Sequence, residues 1–178
     1  MARLLLLDDE PAVLKALCRE LRDTGWQIDT FSEPQEALLA LAHNAYELIL
    51  SDLRMPELDG IAFLQFARQL QPDALRLLLS GDSDRESLVR AVNKAEIYRF
   101  VSKPWDAYEL RGTLQTCLEL QQVLAERKSL LERIQRQQAA IDAHEAYLRD
   151  MRRRHPDIFT VERSEDGAVV LPDDEAGG

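Results

Sequence analysis

Apolar runs of four or five residues alternate along this chain with stretches of helical period. Residues 3–7, Arg-Leu-Leu-Leu-Leu, stop abruptly at Asp8-Asp9-Glu10-Pro11. A short apolar run with an acidic end predicts a strand covered on both faces. Residues 12–23 then place Val13, Leu14, Leu17 and Leu21 on one helical face, and Gly25 closes the helix. Trp26 to Phe31 alternates as a strand. Ser32 to Asn44 reads as a second helix, with Ser32 as its N-cap, Pro34 early and Leu38, Leu39 and Leu41 inward.

The unit then repeats. Residues 47–52 form a strand ending in Asp52, 60–70 a helix, 74–80 a strand, 83–95 a helix and 98–102 a fifth strand. Five strands alternating with helices predict an α/β fold, a doubly wound parallel sheet over about residues 1–120.

Residues 106–152 follow another rule. They hold one glycine, Gly112, and no proline. One seven-residue line runs Cys117, Leu124, Leu131, Gln138, Glu145, and another runs Leu120, Arg127, Ile134, Ile141, Leu148. Two largely apolar lines at this spacing are a coiled-coil pattern, imperfect at Arg127, Gln138 and Glu145. A continuous helix of this length reaches about 70 Å at 1.5 Å per residue, well beyond what the small sheet needs. Residues 153–178 form a tail. Within it, apolar runs flank Ser164-Glu-Asp-Gly167 and predict a hairpin over 158–171.

Charge narrows the options. The net formal charge is −10, with 12 Lys and Arg against 17 Asp and Glu up to residue 105, and 10 against 15 after it. Neither part has the basic excess that binding a phosphate backbone needs, so direct DNA binding is not expected. Cys18 and Cys117 have no spacing that suggests a metal site or a disulfide framework. No apolar run approaches a membrane span, and the N-terminal leucines are too few for a signal peptide, which points to the cytoplasm.

The candidate chemistry lies where the strands end. In an open parallel sheet, ligands bind outside the carboxyl ends of the strands. Asp8 and Asp9 end the first strand, Asp52 the third and Ser80 the fourth, and Lys103 follows the fifth. Acids at strand ends are often helix caps, but here a hydroxyl and an ammonium join them on one edge. Clustered carboxylates repel and call for a cation, and an all-oxygen donor set suits Mg²⁺. A carboxylate can also attack phosphorus, the ammonium and cation neutralising the transferring oxygens.

Asp8-Asp9, Asp52 followed by Met55-Pro56 and Asp59-Gly60, Ser80-Gly81 and Lys103-Pro104 together resemble the receiver domain of two-component response regulators. The resemblance covers about residues 1–120 and implies a flavodoxin-like (CheY-like) sheet of order 2-1-3-4-5. It implies Asp52 as phosphoacceptor and Asp8, Asp9, Asp52 and the Arg54 main-chain carbonyl as the Mg²⁺ site. Ser80, Lys103 and Phe100 become the phosphate-binding and switch residues, and Pro104 follows a cis peptide bond. Arg54 and Asp82, two residues beyond Asp52 and Ser80, are expected at the rim, tuning the lifetime of the phosphate.

The resemblance also implies a sensor histidine kinase or phosphotransfer protein as donor, and a protein target. It implies no enzymatic output beyond the domain's own phosphorylation and dephosphorylation. Residues 98–106 are similar, more narrowly, to receivers of HD-GYP regulators, yet the chain holds neither a His-Asp pair nor Gly-Tyr-Pro. The helical stretch is expected to form a parallel homodimer through residues 110–150; folding back on the receiver is the alternative. Two other functions compete. An aspartyl-phosphate phosphatase of the haloacid-dehalogenase type usually needs an acid where Arg54 stands. The chain could also be a fragment of a regulator with DNA-binding or enzymatic output.

Overall fold

Successive side chains of a strand point to opposite faces, so a strand of leucines serves two cores. In the computed structural model, which describes residues 2–81 and 95–156, strand β1 (Arg3–Leu7) does this. Leu5 and Leu7 pack with Ile49 and Leu78 beneath helices α2 (Pro34–His43) and α3 (Gly60–Leu70). Leu4 and Leu6 face the other way. They pack with Leu48, Leu50, Leu77 and Leu79 against helix α1 (Pro11–Glu20) and the first turns of the long C-terminal helix (Ala107–Arg154).

The remaining strands are β2 (Gln27–Phe31), β3 (Leu48–Asp52), β4 (Leu75–Gly81) and β5 (Arg99–Lys103). All neighbours are parallel, in the order β2-β1-β3-β4-β5. This is the doubly wound sheet that the alternation predicts. Its order reverses at β1, which opens a crevice at the carboxyl ends of β1 and β3.

Three local expectations need correcting, the first being Leu39, expected inward on α2 but 63% exposed. Ser32 does not cap α2: Pro34 takes the first helical position, so Glu33 stands at the cap, with no side-chain cap bond. Helix α1 stops at Glu20, and Gly25 (φ 74°) instead closes a following 3-10 turn at Arg22–Thr24. The expected helix at 83–95 and the hairpin at 158–171 lie outside the described residues, apart from Ala95, which is helical.

Two compact units divide the chain, Met1–Arg127 and Lys128–Gly178. In the first, Leu110, Leu114, Cys117 and Leu118 of the long helix are buried in the core. Cys117 is 0% exposed, so it belongs to the domain core and not to a coiled-coil seam. Its neighbours explain why: a stripe at helical spacing has met the sheet first. In the second unit, Leu130, Leu131, Ile134, Ile141 and Leu148 are exposed. Among the described residues no helix is long and apolar enough to cross a membrane.

Candidate functional site

β1 carries Asp8 to the carboxyl edge of the sheet. The Asp8 N–H donates to the Phe31 carbonyl at 3.2 Å, and the Glu10 N–H donates to Asp8 Oδ1 at 2.9 Å. Pro11 then starts α1, leaving Asp9 partly exposed at the mouth of the crevice. β3 brings Asp52 to the same edge. There Leu53 N–H donates to the Leu79 carbonyl at 3.0 Å, and Arg54 N–H fixes the carboxylate by donating to Asp52 Oδ2 at 2.8 Å.

Lys103, the last residue of β5, closes the group. Its Nζ lies 2.7 Å from Asp8 Oδ2 and 2.5 Å from Asp52 Oδ1. The Lys103–Pro104 peptide is cis, as expected. Ser80 is buried on β4 one residue beyond Leu79, the register partner of Asp52, and pairs in register with Ser102. Phe100 on β5 is partly buried against the α2–α3 core. Arg54 is exposed on the loop after β3, and Met55 is buried beneath that loop. Asp82 lies outside the described residues.

The electrostatics follow from two carboxylates sharing one ammonium. Burial pushes the Asp8 carboxyl above its ordinary value, beyond what the Lys103 hydrogen bond and the Glu10 N–H pull down, and Asp52 adds to the rise. For Lys103, burial alone lowers the ammonium; the hydrogen bonds and charges of Asp52 and Asp8 outweigh it, and the net direction is upward. The rise at Asp8 comes chiefly from burial and the rise at Lys103 from the two acids beside it, and the crevice holds a surplus of one carboxyl group over its single ammonium.

That surplus is the test of whether a metal ion fits. Among the described residues no three His, Cys, Asp or Glu side chains are gathered closely enough to hold a metal by themselves. The donors on offer are nevertheless all oxygen: two buried carboxylates, Asp9 at the mouth and a main-chain carbonyl. This set suits a hard divalent ion that keeps part of its water shell.

Gly60, which the sequence offers only within the Asp59-Gly60 motif, also shapes the site. Gly60 N–H donates to the Leu53 carbonyl at 3.0 Å, folding the loop back under β3. A Cβ at Gly60 would overlap the main-chain oxygen of Asp52. The available signal was a glycine at the first position of a helix, directly after the capping residue Asp59, whose carboxylate accepts from Ala62 N–H at 2.7 Å.

Away from the crevice, Arg76 is a buried cation in β4. Its guanidinium donates to the carbonyls of Ala95 at 3.0 Å and Ala74 at 2.7 Å. It fastens the chain entering β5 to the opposite edge of the sheet, where Tyr98 N–H donates to the Arg76 carbonyl at 2.8 Å.

The model of the response regulator receiver domain matches residues 4–115. The hydrogenase transcriptional regulatory protein HoxA of Cupriavidus necator is 37% identical over 120 residues, 67% of this chain and 25% of its own length. The response regulator protein TodT of Pseudomonas putida is 31% identical over 65% of this chain and 50% of its own length. The chain thus spans about a quarter of the length of HoxA and half that of TodT. Among solved structures, the signal receiver domain of an HD domain-containing protein from Pseudomonas fluorescens superposes with a TM-score of 0.68 at 34% identity. That superposition covers 71% of this chain and 93% of the other.

Proposed function

Since this chain belongs to the response-regulator receiver family, we propose that it is a phosphorylation-dependent switch of a two-component system, with Asp52 as the residue that takes the phosphoryl group. The observation that carries this reading is the placement of the Asp52 carboxylate. Arg54 N–H holds one of its oxygens, Lys103 Nζ lies at the other, and Asp8 stands across the same ammonium.

In the transfer, an Asp52 carboxylate oxygen bonds to phosphorus while the bond from phosphorus to the donor breaks and the donor group leaves. The donor is a sensor histidine kinase or a phosphotransfer protein. Lys103 moves its charge from the carboxylate pair to the phosphoryl oxygens, and the Ser80 hydroxyl donates to one of them. Asp8, Asp9, Asp52 and the Arg54 carbonyl are the residues that would hold Mg²⁺. When bound, the ion supplies positive charge to the transferring oxygens.

Ser80 and Phe100 form the switch. Displacement of Ser80 toward the phosphoryl group frees space that Phe100, already half-buried, fills by rotating inward; without a hydroxyl, Phe100 acts through packing alone. Arg54 and Asp82 flank the path of the hydrolytic water and set the lifetime of the phosphate.

The boundaries that fit this reading are a receiver over about residues 1–120, continued by the helix of 106–152 and a tail from 153. Output is by protein contact. The chain from residue 106 onward carries 10 Lys and Arg against 15 Asp and Glu, the wrong balance for phosphate-backbone binding. Dimerisation uses the exposed part of the heptad pattern. Leu110, Leu114 and Cys117 are committed to the domain core, so the seam begins near Leu120 and not at residue 110.

The test is incorporation of label from a small phosphodonor such as acetyl phosphate, with Mg²⁺ present. The intact chain takes up about one phosphate per molecule and Asp52→Asn takes up none. Stoichiometric labelling of Asp52→Asn overturns the assignment.

A further inference from the structure

From Leu120 onward the long helix carries a heptad seam that the single chain leaves open. Leu124, Leu131, Ile134, Ile141 and Leu148 are between 43% and 52% exposed. Leu124, Leu131, Gln138 and Glu145 occupy one core line (a), and Leu120, Arg127, Ile134, Ile141 and Leu148 the other (d). Flanking them are Val123, Leu130, Gln137, His144 and Met151 on one side (g), and Gln121, Lys128, Gln135, Asp142 and Arg149 on the other (e).

Apolar lines at a 3.5-residue period fit a second helix of the same kind. The charges within the seam then decide its direction. A parallel, in-register pair stacks each core residue on its own copy. Arg127 meets Arg127, and Glu145 meets Glu145, both in the middle of the interface. The parallel flanks bring Val123 to Lys128, Gln137 to Asp142 and His144 to Arg149, with no pairing of opposite charges among them. Like charges held together in this way cost stability.

An antiparallel pair centred near residue 136 changes every layer, and only its outermost one, Leu120 against Arg152, sets a charge on an apolar residue. Leu124 meets Leu148, Leu131 meets Ile141, and Ile134 meets Gln138. Arg127 meets Glu145, and in an antiparallel pair each layer occurs twice. The flanks agree independently: Lys128 faces Asp142 on one side, while Val123 faces Met151 on the other. Sliding the helices by one heptad either way sets Glu145 against Leu120 or Ile134, so the charges also fix the register.

We infer that a second copy of this chain covers the seam in antiparallel orientation, in the register that pairs Arg127 with Glu145. The inference rests on the dimer reading above and replaces the parallel arrangement expected from the heptads alone. Opposite charges at seam and flank set orientation more than affinity, which is the established use of such pairs in coiled coils.

Sedimentation equilibrium of the full chain tests it with exposed, conservatively placed substitutions. Arg127→Glu alone and Glu145→Arg alone each raise the dimer dissociation constant by roughly tenfold or more, because each turns two attractive contacts into repulsive ones. The double exchange returns it to within a few-fold of the unsubstituted chain. Oxidative cross-linking gives a second measurement. A mixture of Leu124→Cys and Leu148→Cys chains forms the mixed disulfide, whereas neither variant cross-links with itself above the background of the unsubstituted chain. A dimer in which Leu124→Cys joins to itself, or in which the double exchange restores nothing, overturns the orientation and leaves the dimer standing. A chain that stays monomeric at high micromolar concentration overturns the dimer reading itself.

Discussion

Gly60 and Gly112 predict opposite consequences for the same chemical change, the addition of one methyl group. Neither glycine has a left-handed backbone, so alanine meets no conformational penalty at either position. At Gly60 the new Cβ would overlap the Asp52 carbonyl oxygen. It would also lie 2.9 Å from the Asp52 carbonyl carbon and 3.0 Å from Leu78 Cδ1. The first two are main-chain atoms at the end of a fully buried strand, so relief requires moving β3 or the start of α3. Overpacking of this kind costs about 1–3 kcal/mol, and the rigidity of the obstacle favours the upper part of that range. The displaced atoms belong to Asp52, and a misplacement of about 1 Å at a reacting group can cost on the order of a hundredfold in rate. Gly112 is exposed inside the long helix with nothing within 4 Å of a Cβ, and alanine there gains about 1 kcal/mol in helix propensity. Urea unfolding at neutral pH and the initial rate of labelling by acetyl phosphate with Mg²⁺ give the readouts. Gly60→Ala loses about 2–3 kcal/mol and most of its labelling rate; Gly112→Ala is stabilised and labels as the unsubstituted chain does. An unfolding midpoint and rate unchanged in Gly60→Ala would refute the steric argument, and so would equal losses in both variants.

The buried charges make further predictions. Asp8 has a raised pKa, so its ionised form opposes folding at neutral pH, and the fold takes up a proton before the unfolded chain does as pH falls. Asp8→Asn keeps an oxygen for the Glu10 N–H and leaves Lys103 its Asp52 partner, so it raises stability at pH 7, and the gain shrinks as pH falls toward 3.8. A pH series of urea titrations that shows a constant or growing gain contradicts this. Lys103 is also raised, so its contribution is complete below 10.5, the ordinary lysine value, and is lost only as pH climbs above it. Lys103→Met strands two buried carboxylates and costs about 3 kcal/mol at pH 7, a loss partly recovered when Asp8→Asn is added. Arg54→Ala and Asp82→Ala alter the half-life of the phosphorylated chain severalfold while leaving the extent of labelling intact; unchanged half-lives remove both residues from the rim role.

How much of this was legible in the sequence depends on whether a pattern has one physical cause or two. The leucine run of β1 has one cause, burial on both faces, and its span and its acidic end were readable without a fold. The placement of Asp8, Asp52 and Lys103 on one edge follows from parallel topology alone, since every strand of a parallel sheet delivers its carboxyl end to the same side. Ser32 misled because a serine before a helix suggests a cap, while Pro34, whose fixed φ suits the first helical turn, moved the cap to Glu33. The role of Gly60 was hidden for a different reason. Its constraint comes from a main-chain oxygen at a residue eight positions earlier, and no local propensity reports that approach. Arg76 was opaque in the same way, since its carbonyl partner at Ala95 comes from a separate segment.

The long helix itself was legible in the sequence, but the point where its open seam begins was not. Leu110, Leu114 and Cys117 recur at the same helical spacing as Leu124 and Leu131, so counting heptads cannot tell a stripe packed on a sheet from a stripe waiting for another helix. Burial separates them at once: Cys117 is in the core and Leu124 is not. Once the core residues are removed from the seam, its remaining polar positions stop being blemishes in an apolar line. Arg127 and Glu145 carry opposite charges, and Gln138 falls opposite Ile134 when they meet. The imperfection then becomes the information that chooses between two ways of pairing the same helix.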